Sequence, residues 1–312
     1  MQDNLNSKYK SIVDFLQMSS EIYFNETGIK VKIEIVNDFS FNARVSKIEE
    51  KVYKIEIRHG CLCLENLIEN ITNRYTEDDL KSFWRFRKLN IFEKNAGDTY
   101  REELNQLFGS IILLHIFFHE CGHITAKYID KENGTYAEMQ PSDNGGYEKQ
   151  EQEMVADWLS TKFLYKSMFF ATIGTDKIDF EELLSILEQL TILYWLSLTI
   201  EFQIFDSVHT GDVPDYSLLT HPHPAVRLYY SLDAMQECIL DIFNIYGFDD
   251  MQAEYGVEYI VNNIYILIES YLQITETPIS IKKDDPQIMD CYITLRDVPY
   301  CSKVKDNYFH LI

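Results

Sequence analysis

Between Leu104 and Phe118, apolar side chains recur at three- and four-residue spacings, at Leu104, Leu107, Phe108, Ile111, Ile112, Leu114 and Phe118. That spacing predicts a helix with a broad buried face. A helix of this kind is stable only when other elements wrap it, so the rest of the chain has to supply an envelope. Four more helical patterns, at roughly 150–170, 181–205, 224–245 and 254–273, provide most of one. Before residue 98 the pattern is different. Val31-Lys-Ile-Glu-Ile-Val36 and Val52-Tyr-Lys-Ile-Glu-Ile-Arg58 alternate at period two, with 41–48 between them and 49–51 as a turn. Alternation of this kind marks half-buried strands, and the economical arrangement is a small antiparallel sheet accompanied by one helix.

The resulting expectation is an α+β chain in which residues 1–97 carry the small N-terminal sheet and 98–276 form a predominantly helical core. Residues 277–312 make a C-terminal tail to which the pattern assigns no role. The stretch 130–148, rich in Gly, Asn, Asp and Ser, reads as a long surface loop. Two apolar runs, Leu107 to Phe118 and Leu190 to Ile200, fall short of the roughly 18–20 residues that cross a bilayer, so both are expected to be core helices.

Charge narrows the classes of partner. With 28 basic against 50 acidic residues the formal charge is −22, which repels phosphate backbones and anionic lipid surfaces. Neither nucleic acid nor membrane is expected as a partner, whereas a protein or peptide is compatible. Six cysteines, Cys61, Cys63, Cys121, Cys238, Cys291 and Cys301, show no C-x-x-C spacing, so free thiols are expected. The first residues lack a basic stretch followed by an apolar one, which points to the cytoplasm.

The buried helix runs directly into Phe118-His119-Glu120-Cys121-Gly122-His123. His119 and His123, one turn apart, project from the same helix face, so both imidazoles reach one divalent ion. Glu120 lies beside them, placed to take a proton from an attacking water. Gly122 permits another backbone to come close. Two histidines and a water leave a four-coordinate zinc site one protein ligand short. Glu153 and Asp157, four apart in Gln152-Glu153-Met154-Val155-Ala156-Asp157-Trp158, supply a candidate. Alone they read as the solvated face of an acidic helix. Downstream of H-E-x-x-H and followed by Trp158 and Leu159, Glu153 reads as the third ligand. Asp157 then orients a ligand histidine through its other ring nitrogen.

A third segment, Thr220-His221-Pro222-His223-Pro224-Ala225-Val226-Arg227, has the form of a helix start with Pro in the first turn. Its His221 and Arg227 also offer donors to an oxyanion. His115 extends the series 115, 119, 123, but a straight helix does not converge three successive turns on one ion at about 2 Å. It is expected in the core or behind a ligand, and Cys61, Cys63 and Cys121 are expected to be packing residues.

In order, H-E-x-x-H, E-x-x-A-D and T-H-P-x-x-x-x-R resemble the gluzincin peptidases of the HtpX and CAAX-prenyl-protease type, in which the third segment lies close to the metal. The resemblance spans residues 119–227. Those families are integral membrane proteins with long apolar spans. A chain of this size with a small N-terminal sheet and a doubled His-Pro looks more like the Lit-type phage-exclusion peptidases. That resemblance implies a zincin-like fold and a cytoplasmic zinc endopeptidase, activated by a phage protein and cleaving the host's elongation factor Tu.

The mechanism expected from these residues has Zn2+ held by His119, His123 and Glu153, Glu120 as general base, and His221 or Arg227 as a donor to the oxyanion. The strand Val52 to Arg58 is expected at a sheet edge, where it holds an extended substrate as an added strand. The rival expectation is a zinc-organised binding, sensor or toxin/regulator module without peptidase activity, in which Glu120 has no chemical role. A chance motif that binds no zinc is the other alternative.

Overall fold

The computed structural model describes residues 9–64, 100–126, 135–137, 147–173, 177–208 and 221–275, with positions 68, 69, 73 and 86. In chain order its elements are α1 (Lys10–Thr27), β1 (Lys30–Val36), β2 (Ala43–Glu49), β3 (Val52–Arg58), a 3-10 turn (His59–Leu62), α2 (Tyr100–Thr125), β4 (Thr135–Ala137), α3 (Tyr147–Ile173), α4 (Phe180–Val208), α5 (Pro224–Ile245) and α6 (Asp250–Thr275). The four later helices fall where the periodicity puts them; the largest boundary difference is at the start of α6, expected at 254 and found at Asp250. The tail 277–312 and Thr220 lie outside the described residues.

The sheet is mixed rather than antiparallel, with strand order β1-β3-β2-β4. β3 returns from a tight hairpin with β2, through Lys51 at φ 58°, and inserts between β2 and β1. It therefore pairs antiparallel with β2 and parallel with β1, with Ile33 opposite Ile55. The physical reason is the link 37–42. A two-residue turn joins only adjacent strands, whereas six residues easily reach the roughly 10 Å across an intervening strand. The link is pinned by Gly60, whose amide donates to the Asp38 carbonyl at 3.2 Å. A Cβ at Gly60 would stand 2.3 Å from the Ser40 carbonyl oxygen, so only glycine lets the two segments meet.

The expectation that β3 offers a substrate edge is overturned by this order, because both of its edges are paired. The outer strands among the described residues are β1 and β4. β4 comes from the stretch read as a loop, the rest of which up to Tyr147 lies outside the described residues; Tyr136 pairs with Val45.

One face of the sheet, including Val31, Ile35, Val45, Ile55 and Ile57, joins the buried faces of the helices in a continuous core. The other face carries charge: Glu56 takes both Arg44 and Lys54, and Lys54 also reaches Glu34 at 3.3 Å. α2 is the centre of the core. The stretches Arg101–Thr125 and Phe180–Phe202 are long and apolar enough to cross a bilayer, which corrects the expectation from the shorter runs. Yet 100% and 78% of their most apolar windows are buried within the chain, so they serve as core helices. Cys61, Cys63, Cys121 and Cys238 are free thiols.

Candidate metal centre

α2 and α3 approach so closely that a Cβ on Gly122 would lie 2.8 Å from Ala156 Cα and 2.9 Å from its carbonyl oxygen. Ala156 sits between Glu153 and Asp157, so this contact presses the two carboxylates against the histidine face of α2. Gly122→Ala forces the helices apart and is expected to cost about 1–3 kcal/mol in chemical denaturation.

His119, His123 and Glu153 form a buried group whose candidate ligand atoms all lie within 4.8 Å of one another. The two Nε2 atoms are 3.0 Å apart. Glu153 reaches His119 Nε2 at 3.2 Å and His123 Nε2 at 3.5 Å, through different oxygens. Zinc bonds of about 2.0–2.1 Å put tetrahedral ligand atoms roughly 3.3 Å from each other, so the three groups have the chemistry and the separation of a zinc donor set.

The ring of His119 is fixed from behind. Its Nδ1–H donates to Asp157 Oδ1 at 2.8 Å, which leaves Nε2 as the ring nitrogen facing His123 and Glu153. Asp157 is in turn gripped by Arg227, whose Nε and Nη2 each donate at 2.7 Å to a different carboxylate oxygen. The guanidinium lies over the Phe202 ring, 4.6 Å from its centroid. Arg227 is thus turned toward Asp157, and its place is that of a positioning residue.

His221 stands on the other side. Its Nε2 is 3.8 Å from Glu153 Oε2, and its side chain is 13% exposed where the three candidate ligands are 0–2%. Of the two donors considered from the sequence, His221 is the one facing the cluster. The second histidine of the doubled His-Pro serves the fold locally. His223 is the N-cap of α5, its Nδ1 accepting from the Ala225 amide at 3.2 Å, with Pro224 in the first turn.

Carboxylates crowd this buried site. Glu120, Glu153 and Asp157 are all at most 1% exposed, and Arg227 is a buried fixed positive charge beside them. Glu153 and Asp157 beside a single guanidinium favour a further positive charge in this low-dielectric interior, from a bound cation or from a proton on a histidine. In the absence of an ion the histidines respond unequally. Burial works against a proton on His119, but Asp157 and Glu153 outweigh it and raise its proton affinity well above the ordinary value. Burial pushes His123 down to about 3. Glu153 is driven well below the usual carboxylate range despite its burial, by His221, His123 and His119.

His115 lies one turn before His119 and repeats its arrangement: its Nδ1 is 2.9 Å from Glu201 on α4, and its ring centroid is 6.4 Å from that of His119. It belongs to the core behind the site, as its spacing implies. Glu201, the residue that completes this pair, does not stand out in the sequence. Its one signal there is an acidic side chain inside a helix that stays apolar on both sides of it.

No family model, curated protein or solved structure matches the chain, so the reading of this centre rests on its own residues and their geometry.

Proposed function

We infer that the chain is a zinc-dependent peptidase acting on an intracellular protein. The observation that carries this reading is the convergence of His119, His123 and Glu153 at mutual distances of 3.0–3.5 Å in the buried interior. A zinc ion held there supplies Lewis acidity, polarising a peptide carbonyl and bringing the proton affinity of water toward neutrality.

The chain's own residues do the rest. Glu120, fixed on α2 directly after a ligand, takes the proton of the attacking water and passes it to the leaving amine. His221, partly exposed beside Glu153, donates to the oxygen on which negative charge develops. Asp157 and Arg227 hold the His119 tautomer that keeps Nε2 directed at the site. The motif resemblance supports elongation factor Tu as the first substrate to offer, with a lysate of phage-infected cells as the source of an activating protein.

The test is Glu120→Gln. The variant is expected to keep the zinc content and melting temperature of the wild type while cleavage falls by about 10²–10⁴-fold. A zinc-loaded wild type that cleaves nothing the variant does not would favour the binding-module reading, in which the full burial of the three ligands serves the fold alone.

A further inference from the structure

Away from the metal centre, α5 and α6 turn back on each other through Gly247 and splay to leave a groove of about 530 Å³. Asp233, Glu237 and Leu240 line it from α5, at helical spacings of four and three; Glu254, Val257 and Glu258 line it from α6. Carboxylates stand on both walls, Glu237 already holding the buried Lys162 at 3.2 Å from beneath; apolar side chains lie between them, and among the described residues no lining side chain is basic. Alongside, α6 exposes a stripe of Met251, Tyr255 and Tyr259, which are 76%, 56% and 38% accessible. Large apolar side chains grouped in this way on a helix face are unusual unless something covers them.

We propose that this groove docks a basic amphipathic helix of a partner protein. The walls are two helices, and the ridge between such walls is the seat for a third helix rather than for a strand. Lysine or arginine at spacings of three and four reaches the carboxylates of both walls while leucine-like side chains between them rest on Leu240 and Val257. The ring faces of Tyr255 and Tyr259 receive further cationic heads. A second copy of this chain is a poor occupant, because its charge of −22 opposes an acidic groove. A free polyamine would satisfy the carboxylates but would make no use of Leu240.

The probe is a fluorescein-labelled 18-residue peptide of lysine and leucine in amphipathic helical order, titrated into the full chain and read by anisotropy. It is expected to bind, and to protect amides of α5 and α6 from deuterium exchange. The pair Glu254→Lys and Glu258→Lys should weaken it by about tenfold or more, and Leu240→Ser by about fivefold. A control pair on the exposed hairpin tip, Glu49→Lys and Glu50→Lys, makes the same change in net charge and should leave affinity within about twofold. Equal loss in the control pair would reduce the effect to general attraction and overturn the proposal. So would absence of binding, or displacement by spermidine together with an unaffected Leu240→Ser. Circular dichroism of each variant separates lost docking from lost folding.

Discussion

Elemental analysis of the purified chain is expected to find about one zinc per molecule, and almost none in His119→Ala or Glu153→Ala. Each substitution removes one of the three candidate ligands, and His221, 3.8 Å from Glu153, lies beyond the 3.0–3.5 Å that separates them. The change also alters stability in opposite ways. With zinc present at about a thousand times its dissociation constant, binding to the folded chain adds about 4 kcal/mol, so chelation should lower the melting temperature of the wild type markedly. Glu153→Ala, which removes one of the clustered carboxylates, should melt independently of chelator. A wild type that takes up no zinc even on reconstitution would end the peptidase reading.

Arg227→Met is expected to be the most damaging single change outside the ligands, costing about 3–5 kcal/mol of stability by denaturant titration. The guanidinium is committed to Asp157, and its loss strands a carboxylate that is 0% exposed. Arg227→Lys should not rescue it, since an ammonium neither makes two parallel bonds nor stacks on Phe202. The effect has a defined pH dependence. Burial alone would raise the Asp157 carboxyl, but Arg227, with His119, holds it well below the ordinary range. A depressed carboxyl contributes stability above its unfolded value of about 3.9 and loses it as pH falls below that. The gap between wild type and Arg227→Met should therefore be widest near neutrality and close in acid. Asp157→Asn keeps the shape but not the charge, and should reduce zinc affinity by about 10–100-fold.

Much of the centre could be read directly from spacing. A four-residue interval on a helix fixes which side chains share a face, and that alone placed His119 with His123 and Glu153 with Asp157. The glycine between the histidines foretold the close approach at Ala156. What spacing does not encode is direction across elements. Arg227 has the same donors whether they point at an oxyanion or at Asp157, and only the packing of α5 against α3 decides. Likewise, alternation in β1 and β3 fixes which face is buried but says nothing about which strand lies between the others; the order followed from the length of the link 37–42. β4 escaped because three residues within a polar stretch carry no period.

Helix α2, whose most apolar window is wholly buried, is also the element that carries His119, Glu120 and His123. Amide protons deep in such a helix exchange with solvent only through the largest opening the chain makes, so those from Ile111 to His123 should be among the slowest in the molecule. The candidate ligands His119 and His123 are thus mounted on a deeply buried helix, where they are not rearranged without a large opening of the chain. On the proposed peptidase reading, any factor that raises the rate of cleavage while leaving this slow exchange unchanged must then be acting on access to the centre, and not on the centre itself.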